Sequence, residues 1–462
     1  MKKTMAIVTN YMEKEGSYGL LGPQMAATII NDNTDYECLV VSIGHDFDKE
    51  LTKKSIIQLV GNNRPVIGFS HLCERPELWE LAGELKKEGA VTILGGPQAD
   101  VNYLGEVGWQ NHANRFPGLQ DSFTFALQGP AEQIIPFLNS QGNEELHKIP
   151  GLLFKQNGRY QINHRDDWKE NSLKKVNWGN LYRMGSVGLE PLKISNAQVV
   201  QQIGCPYAAG IKKVSIDYPT NLKNETFSKR GKIHVSVRGC SFCDVAVDKG
   251  LGIKLSLDAV LDQILFLPEG TDGRKVPFEL INENPFPTLP QLLLNIKKKR
   301  IMISQITLVT RADWSVKMED KIRETLELAE SMKVRILLSG VGFESFADSI
   351  LRNLNKGYGV DSNLAVIKLI RHLKEEFPDN FFYSPDDGAV HGFIHPTPWD
   401  SPDTKREMYR VIFAYDLEQD ILPSHSIPLI IHHASWLGDW IRELEEREGI
   451  TLGRTGSLIE WW

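Results

Sequence analysis

Val91-Thr92-Ile93-Leu94-Gly95-Gly96-Pro97-Gln98 is the stretch that decides the fold of the N-terminal part of the chain. Its first four residues form a short apolar run, typical of a strand buried on both faces of a parallel sheet. The two glycines that follow allow the backbone to approach a ligand closely. This pattern fits either a ligand-binding loop or a plain turn from a strand to a helix.

Strand-like and helix-like segments alternate in this way over roughly the first 140 residues. The alternation predicts a Rossmann-like, doubly wound parallel sheet, which binds ligands beyond the carboxyl ends of its strands. The loops after Thr9, Phe69 and Leu94 are therefore candidate ligand loops. The sequence has no Gly-x-Gly-x-x-Gly fingerprint, which argues against a dinucleotide site. Strands are predicted at Met5–Thr9, Cys38–Ile43, Pro65–Ser70, Val91–Leu94 and Phe123–Leu127, and helices near 20–31, 49–60 and 76–89.

The alternation resumes from Ile233 and predicts a full or partial βα barrel. We interpret residues 151–200 as a connector and residues 401–462 as a small C-terminal helical segment. In that segment His432 and His433 are adjacent, and on a helix their side chains would point in different directions, so a shared metal is not expected. Barrel strands are predicted at Ile233–Val237, Pro277–Ile281, Gln305–Thr310, Val334–Ser339 and Val390–Ile394, and helices at 257–267, 288–299, 318–332 and 363–376.

Three of the five cysteines fall in two short motifs, Gly204-Cys205-Pro206-Tyr207 and Gly239-Cys240-Ser241-Phe242-Cys243-Asp244. The second motif follows a strand-like run, so its two thiols share one tight turn and can face an iron–sulfur cluster or a zinc ion. A closed zinc site takes four ligands, whereas a four-iron cluster held by three thiolates leaves one iron open. Cys38 is expected in the core, and Cys73 lies on a candidate ligand loop with no assigned role.

Composition narrows the classes of function. The chain has 462 residues, enough for two or three domains, and a formal net charge of −7, which argues against a general nucleic-acid surface. No window reaches the roughly 20 apolar residues of a membrane helix, so no integral membrane segment is expected. The apolar run near Met1 is too short for a secretory signal, and cysteines are few, so we expect a cytoplasmic protein.

Four N-terminal motifs resemble the cobalamin-binding domain of radical SAM enzymes. They are Ile67-Gly68-Phe69-Ser70, Ile93-Leu94-Gly95-Gly96-Pro97, Gln128-Gly129-Pro130-Ala131-Glu132 and Ile149-Pro150-Gly151-Leu152. The Asp-x-His-x-x-Gly signature of other cobalamin proteins is absent, and the neighbours of His45 do not fit it. The resemblance therefore implies cobalamin held without a histidine ligand, or a domain that has lost cobalamin. The cofactor-binding residues that it implies are Ser70, Gly95, Gly96, Pro97, Gln98 and Gly129.

A second set of motifs resembles the radical SAM core. Cys240-Ser241-Phe242-Cys243-Asp244 matches the closing half of that family's cysteine loop, and Gly340–Ser345 with Leu351–Gly357 resembles its "GxES … lnKG" stretch. The family usually carries Cys-x-x-x-Cys-x-x-Cys in one turn, whereas here 34 residues separate Cys205 from Cys240. Either the insertion, about residues 208–232, loops out and Cys205 still reaches the cluster, or Cys205 is structural. The length-dependent part of the loop-closure cost is about 3 kcal/mol, which permits the first of these alternatives.

The resemblance implies three regions and an activity. The regions are a cobalamin-binding-like domain over 1–150, the connector, and a radical SAM barrel over 201–400. Cys205, Cys240 and Cys243 are the implied ligands of a [4Fe–4S] cluster that cleaves S-adenosylmethionine to a 5′-deoxyadenosyl radical, most often to methylate an unactivated carbon. Further implied contacts to S-adenosylmethionine are Phe242 beside the adenine and Arg311, Glu344 and Ser345 as polar groups.

The partners that the resemblance implies are an electron donor such as flavodoxin or ferredoxin and a small-molecule, lipid or peptide substrate that the sequence does not identify. Two alternatives remain open. One is a radical SAM enzyme that catalyses a cyclisation or rearrangement without methyl transfer. The other, of a different class, is a non-catalytic regulatory protein in which Cys240 and Cys243 help to bind zinc.

Overall fold

The computed structural model describes residues 3–10, 18–61, 64–71, 75–140, 145–220, 222–223, 227, 231–243, 251–389, 391, 393–420 and 426–462. These residues form two compact units. We call Met1–Gln198 with Asp258–Pro268 the N-terminal unit, and Val199–Leu257 with Glu269–Trp462 the C-terminal unit.

A nine-stranded sheet with the order β7-β6-β5-β4-β3-β1-β2-β8-β9 organises the N-terminal unit. Strands β1 to β5 are parallel to one another, as the alternation predicted. The strands are β1 Lys3–Asn10, β2 Tyr36–Ile43, β3 Val66–Phe69, β4 Val91–Leu94, β5 Phe125–Leu127, β6 Leu152–Gln156, β7 Arg159–Ile162, β8 Leu181–Met184 and β9 Leu189–Pro191. The helices are α1 Leu21–Asn33, α2 Lys49–Val60, α3 Pro76–Lys87, α4 Pro97–Val101 and α5 Ile135–Asn139.

The parallel strands run in the order 5-4-3-1-2, so the winding reverses between β1 and β3. In doubly wound sheets this reversal opens a crevice at the carboxyl ends of the two strands. Helix α2 contacts α3, and their apolar residues share one core cluster with Ala6 and Val8 of β1. The prediction of a parallel α/β sheet in this region is therefore confirmed.

Residues 151–200, interpreted as a connector, contain four strands that extend this sheet at both edges. Strand β6 pairs antiparallel with β5, and β8 pairs parallel with β2. The outermost strands β7 and β9 are short and largely exposed, so they lack the apolar pattern that reveals a buried strand. Cys38, by contrast, is fully buried in β2 as predicted, and burial raises the pKa of its thiol.

A second sheet, in the order β10-β15-β16-β17-β18, organises the C-terminal unit, and β15 to β18 are parallel. In the described residues the sheet has two ends, β10 and β18, and does not close on itself. The strands of this sheet are β10 Ala197–Val200, β15 Phe278–Ile281, β16 Gln305–Thr310, β17 Arg335–Val341 and β18 Phe381–Phe382. Smaller pairs are β11 Gln202–Gly204 with β14 Leu251–Lys254, β12 Ile211–Asp217 with β13 Lys232–Arg238, and β19 Gly453–Thr455 with β20 Leu458–Glu460.

The predicted helices of this part of the chain are present. The helix α6 Leu257–Phe266 falls almost entirely within the N-terminal unit, although the sequence placed it in the barrel region. The remaining helices are α7 Leu289–Lys298, α8 Ala312–Lys317, α9 Glu319–Met332, α10 Asp348–Asn353, α11 Val360–Glu376, α12 Pro402–Ala414 and α13 Trp436–Glu448.

Two strand predictions need correction. Ile233–Val237 is a strand, but it belongs to β13, which pairs antiparallel with β12 and lies outside the parallel sheet. Its apolar and polar residues alternate, as in a strand with one face towards solvent, and among the described residues β10 is the first strand in chain order of the sheet that contains β15 to β18. For the predicted Val390–Ile394, positions 390 and 392 lie outside the described residues, and Phe393 and Ile394 form only isolated bridges.

The paired histidines also differ from expectation, because they precede α13 and are not helical. Their ring centroids lie 4.6 Å apart, and both side chains are buried. His432 accepts a hydrogen bond from the Ala434 N–H at Nδ1 (3.1 Å) and pairs through Nε2 with the Ser457 hydroxyl (2.9 Å). These contacts give His432 a structural role between α13 and the β19–β20 hairpin.

Candidate functional site

The carboxyl edge of the N-terminal sheet brings the loops after β3 and β4 together. The Gly95 N–H donates to the Phe69 carbonyl (2.8 Å), which continues the β3–β4 ladder into the loop. Gly96 has a φ of +74°, and a Cβ there would lie only 2.7 Å from the Ser70 hydroxyl. Glycine is therefore required for this close approach. Pro97 begins helix α4, and the buried Gln98 accepts a hydrogen bond from Asn102.

Gly129 follows β5 and also has a positive φ, +89°. A Cβ there would meet the Gln133 amide and the Arg165 side chain, so its loop is packed against the chain after β7. Cys73 and most of the loop after Thr9 lie outside the described residues.

Arg75 is a charged residue at this edge that the sequence motifs did not single out. Its side chain is only 3% exposed, it is ion-paired with Glu77, and Nη2 donates to the Gly44 carbonyl (2.7 Å). Gly44 follows β2, so the side chain reaches from the loop after β3 to the end of β2. It thereby passes the point between β1 and β3 where the winding of the sheet reverses, which we call the switch point. Among the described residues its buried Nη1 has no hydrogen-bond partner, which suits a ligand that presents an acceptor oxygen.

In the C-terminal unit, the insertion between the cysteine motifs is a β-hairpin. Strands β12 and β13 pair over their whole length, with Ile211 opposite Arg238. Cys205 lies six residues before Ile211, and Cys240 lies two residues after Arg238. The hairpin therefore brings Arg238 back beside Ile211. The two cysteine motifs, which flank the hairpin, lie near each other although 34 residues separate Cys205 from Cys240.

One turn, residues 353–357 after helix α10, bonds to both cysteine motifs. The Ser241 hydroxyl donates to the Asn353 carbonyl (2.9 Å), and the Asn355 amide donates to the Gly239 carbonyl (2.7 Å). From the other motif, the Tyr207 hydroxyl donates to the Asn355 carbonyl (2.9 Å). Asn355 thus connects the neighbour of Cys205 to the neighbour of Cys240.

Arg311, directly after β16, places a positive charge against one of the thiols. Its Nη1 lies 3.5 Å from the Cys240 sulfur, and its Nε donates to Asp313 (3.1 Å). The guanidinium carbon lies 3.9 Å from the centroid of the Tyr207 ring, a close cation–π contact. Burial lowers the pKa of Arg311, but the Cys240 and Asp313 charges outweigh burial, and the net pKa is raised.

A second buried cation, Lys356, pairs with Glu344 at 3.0 Å. The Lys356 side chain is 3% exposed and that of Glu344 is 20% exposed. Burial alone would lower the pKa of Lys356, but the Glu344 and Cys240 charges raise it. Gly342 makes room for the pair, because a Cβ there would lie 2.9 Å from the lysine nitrogen.

Cys205 shares this electrostatic environment. Burial raises the pKa of its thiol, the Tyr207 backbone N–H lowers it, and the nearby Glu283 and Cys240 raise it again. Burial likewise raises the pKa of Glu283, which follows β15, while Lys356 lowers it. Metal ligation requires thiolates, and the Arg311 cation, which lowers the pKa of Cys205, favours that state against the effect of burial.

The remaining predicted residues have other contacts. Phe242 packs against the apolar cluster of the C-terminal unit, which includes the hairpin and α13. The buried Ser345 hydroxyl accepts from the Ala347 N–H (3.2 Å), so it caps its own turn. The Cys243 N–H donates to the Cys240 carbonyl (3.3 Å), which closes the tight turn expected from their spacing. The structure thus brings together Cys205, Cys240, Arg311 and Glu344, whereas the Ser345 side chain is engaged in its own turn.

Several contributors were missed from sequence: Arg75, Tyr207 as a stacking partner, Glu283, Asn355 and Lys356. Tyr207, Asn355 and Lys356 lie inside motifs that the sequence analysis quotes for other residues, so the motifs mark their location but not their roles. Among the described residues, no three His, Cys, Asp or Glu side chains surround a point where one metal ion could bind. The thiolates of a four-iron cluster bind different iron atoms and stand farther apart than the ligands of one ion.

No family model matches the chain, and no curated protein matches it. Within the described residues, no helix is both long enough and apolar enough to cross a membrane.

Proposed function

We propose that the chain is a cobalamin-dependent radical SAM enzyme and that its C-terminal unit is a partial βα barrel of the radical SAM type. The observation that carries the proposal is the connection of both cysteine motifs through Asn355. Arg311, Glu344 and Glu283 follow the carboxyl ends of β16, β17 and β15, the edge where βα proteins assemble their active sites.

Cys205, Cys240 and Cys243 would hold the cluster. When bound, a [4Fe–4S] cluster with one open iron supplies the reductive cleavage of S-adenosylmethionine to methionine and a 5′-deoxyadenosyl radical. The donor set fits, because three thiolates are soft ligands and Arg311 and Lys356 offset their negative charge. Tyr207 fixes the guanidinium plane of Arg311, and the partly exposed Glu344 carboxylate can accept from the amino group of S-adenosylmethionine.

The N-terminal unit would hold cobalamin at the switch point between β1 and β3. Gly95 and Gly96 let the backbone approach a flat ligand, and Nη1 of Arg75, without a partner in the described part of the chain, fits the amide oxygens around the rim of cobalamin. We further propose that the outcome is methylation of an unactivated carbon, since a methyl carrier and a radical source would then serve one reaction.

Anaerobic reconstitution with iron and sulfide tests the proposal. The expected protein carries four irons per chain, shows the broad visible absorbance of thiolate-bound iron–sulfur, and cleaves S-adenosylmethionine to 5′-deoxyadenosine under reduction. Tight zinc binding with no cluster would contradict it and favour the regulatory alternative.

Product analysis then distinguishes methyl transfer from cyclisation or rearrangement. S-adenosylhomocysteine formed together with 5′-deoxyadenosine supports methyl transfer, and cobalamin retained through purification supports the assignment of the N-terminal unit. 5′-Deoxyadenosine formed without S-adenosylhomocysteine and without bound cobalamin favours cyclisation or rearrangement.

A further inference from the structure

The insertion that separates the cysteine motifs is basic in an acidic chain. Between Ile211 and Arg238 the sequence has seven lysines and arginines against two acidic residues, whereas the whole chain carries a formal net charge of −7. The structure shows where the described part of this charge lies.

The two faces of the hairpin have different chemistry. Ile216, Ile233, Val235 and Val237 belong to the apolar core cluster of the C-terminal unit, so the hairpin is held in place by one face. The opposite face presents the cross-strand pairs Ile211–Arg238, Lys213–Ser236, Ser215–His234 and Asp217–Lys232.

Among the described residues, the lysine and arginine side chains of this face that lack an ion-pair partner lie at the end nearest the cysteines. At the far end, Asp217 lies 3.7 Å from Lys232 and 3.4 Å from Arg352, so charges there are paired. At the near end, Lys213 is exposed and Arg238 is partly exposed, and neither has an ion-pair partner among the described residues. Ile211 beside them is 61% exposed, so the near end joins these two cations to an exposed apolar side chain.

This near end is close to the cysteines along the chain. Arg238 precedes Cys240 by two residues, so their Cα atoms are at most about 7 Å apart. Lys213 is paired with Ser236, four residues before Cys240, which places that pair within about 14 Å along the strand.

We infer that the near end of the hairpin face, formed by Ile211, Lys213, Ser236 and Arg238, is the docking surface for an acidic one-electron carrier protein. The inference rests on the proposed function, because a cluster that cleaves S-adenosylmethionine must first gain one electron. The carrier is oxidised by one electron and the cluster is reduced by one, with no bond made or broken on the hairpin. Opposite charges steer such partners together, and a central apolar contact with a charged rim is typical of transient interfaces.

The test compares two reductants on the reconstituted Lys213→Glu/Arg238→Glu variant. With photoreduced flavodoxin as the acidic carrier at low salt, we expect cluster reduction to be roughly tenfold slower than in the unsubstituted protein. With photoreduced 5-deazaflavin, a small reductant that needs no docking surface, both proteins should be reduced and should cleave S-adenosylmethionine equally. The flavodoxin rate of the unsubstituted protein should also fall with salt and approach that of the variant at about 1 M, where the Debye length is about 3 Å.

Lys405→Glu/Arg410→Glu is the matched control, because both residues are exposed on α12 of the same unit and the change in net charge is identical. It should keep the flavodoxin rate. Equal flavodoxin rates in the hairpin variant and the unsubstituted protein, or an equal loss in the control, would overturn the inference while 5-deazaflavin reduction leaves the proposed function standing. If the double variant loses its cluster, the flavodoxin rate is compared instead in Lys213→Glu alone and in the unsubstituted protein at low and high salt. An unsubstituted protein without a cluster overturns both proposals.

Discussion

The two parallel sheets of this chain place different chemistry at their carboxyl edges. In the N-terminal sheet the strand order reverses between β1 and β3, and the described part of the edge is lined by glycines and by the buried Arg75, whose Nη1 has no hydrogen-bond partner there. In the C-terminal sheet β10 and β15 to β18 follow one another in chain order, and the edge is filled with mutually paired charges and thiols. The first edge is suited to admit a broad ligand, and the second is suited to compensate the charge of a small metallic one.

The contrast between the two edges depends most strongly on the Lys356–Glu344 ion pair of the C-terminal sheet. Lys356→Met leaves the Glu344 carboxylate without its cation, and we expect a loss of about 3 kcal/mol in the free energy of unfolding of the C-terminal unit. Adding Glu344→Gln should recover part of that loss, because the unpaired charge is then removed. Urea unfolding monitored by hydrogen exchange in peptides from each unit measures both effects. A single variant as stable as the unsubstituted protein would contradict the paired-edge description.

The stability of the C-terminal unit should also depend on pH, because His391 is buried beside the end of β17. Its Nδ1 accepts from the Val341 N–H (3.1 Å) and its Nε2 pairs with the Tyr383 carbonyl (2.7 Å), and burial lowers its pKa from 6.5 to about 4. The unfolded chain therefore binds a proton at a higher pH than the folded one, so stability is lost as the pH falls from about 6.5 towards 4. The linked loss is about 3 kcal/mol. Unfolding free energies measured across this pH range check it.

His391→Asn is the control for that titration, because asparagine keeps an acceptor and has no proton to bind in this range. The variant should be less stable at pH 7 but should show a shallower fall between pH 6.5 and 4. An identical pH slope in both proteins would assign the acid sensitivity to other groups.

The smallest loss of stability is expected at the glycine-lined carboxyl edge of the N-terminal sheet. Gly96 has φ +74° and ψ −164°, a conformation that is nearly exclusive to glycine, and its Cβ position is close to the Ser70 hydroxyl. Gly96→Ala should cost about 1–3 kcal/mol in the N-terminal unit and should weaken cobalamin retention. Gly95→Ala is matched to it, since the nearest atom to a Cβ there is the Phe69 carbonyl oxygen at 3.8 Å. Equal stability losses in the two variants would remove the special role of Gly96.

Much of the fold could be predicted from sequence, because the buried parallel strands and the helices carry strong periodicity. β1 to β4 and the helices α1 to α3 lie where apolar runs and amphipathic segments predicted them. The short edge strands β7 and β9 could not be found this way, since exposed residues leave no apolar pattern. The alternation within Ile233–Val237 contains the signal for a half-exposed hairpin strand. The same run also fits the strand–helix alternation that predicts a barrel, and that prediction is wrong for this strand.

The sequence predicts candidate cluster ligands, but it does not predict the side chains that surround them. Cys240 and Cys243 are recognisable because their spacing is local, whereas Asn355 meets Gly239 from 116 positions away and Arg311 meets Cys240 from 71. Contacts of this kind are set by how the strand ends converge, and single-sequence patterns do not encode them. Arg75 was missed for the same reason, because its partner Gly44 lies 31 residues earlier on another strand end.

Cluster assembly in Cys205→Ala tests the central claim, that the hairpin brings Cys205 and the Cys240–Cys243 turn to one cluster. We would measure iron and sulfide per chain and the visible absorbance after anaerobic reconstitution. Cys38→Ala is the comparison, because it removes a thiol buried in β2 of the other unit. Loss of the cluster in Cys205→Ala with a full complement in Cys38→Ala is the predicted result. Four irons per chain and undiminished cleavage of S-adenosylmethionine in Cys205→Ala would contradict it.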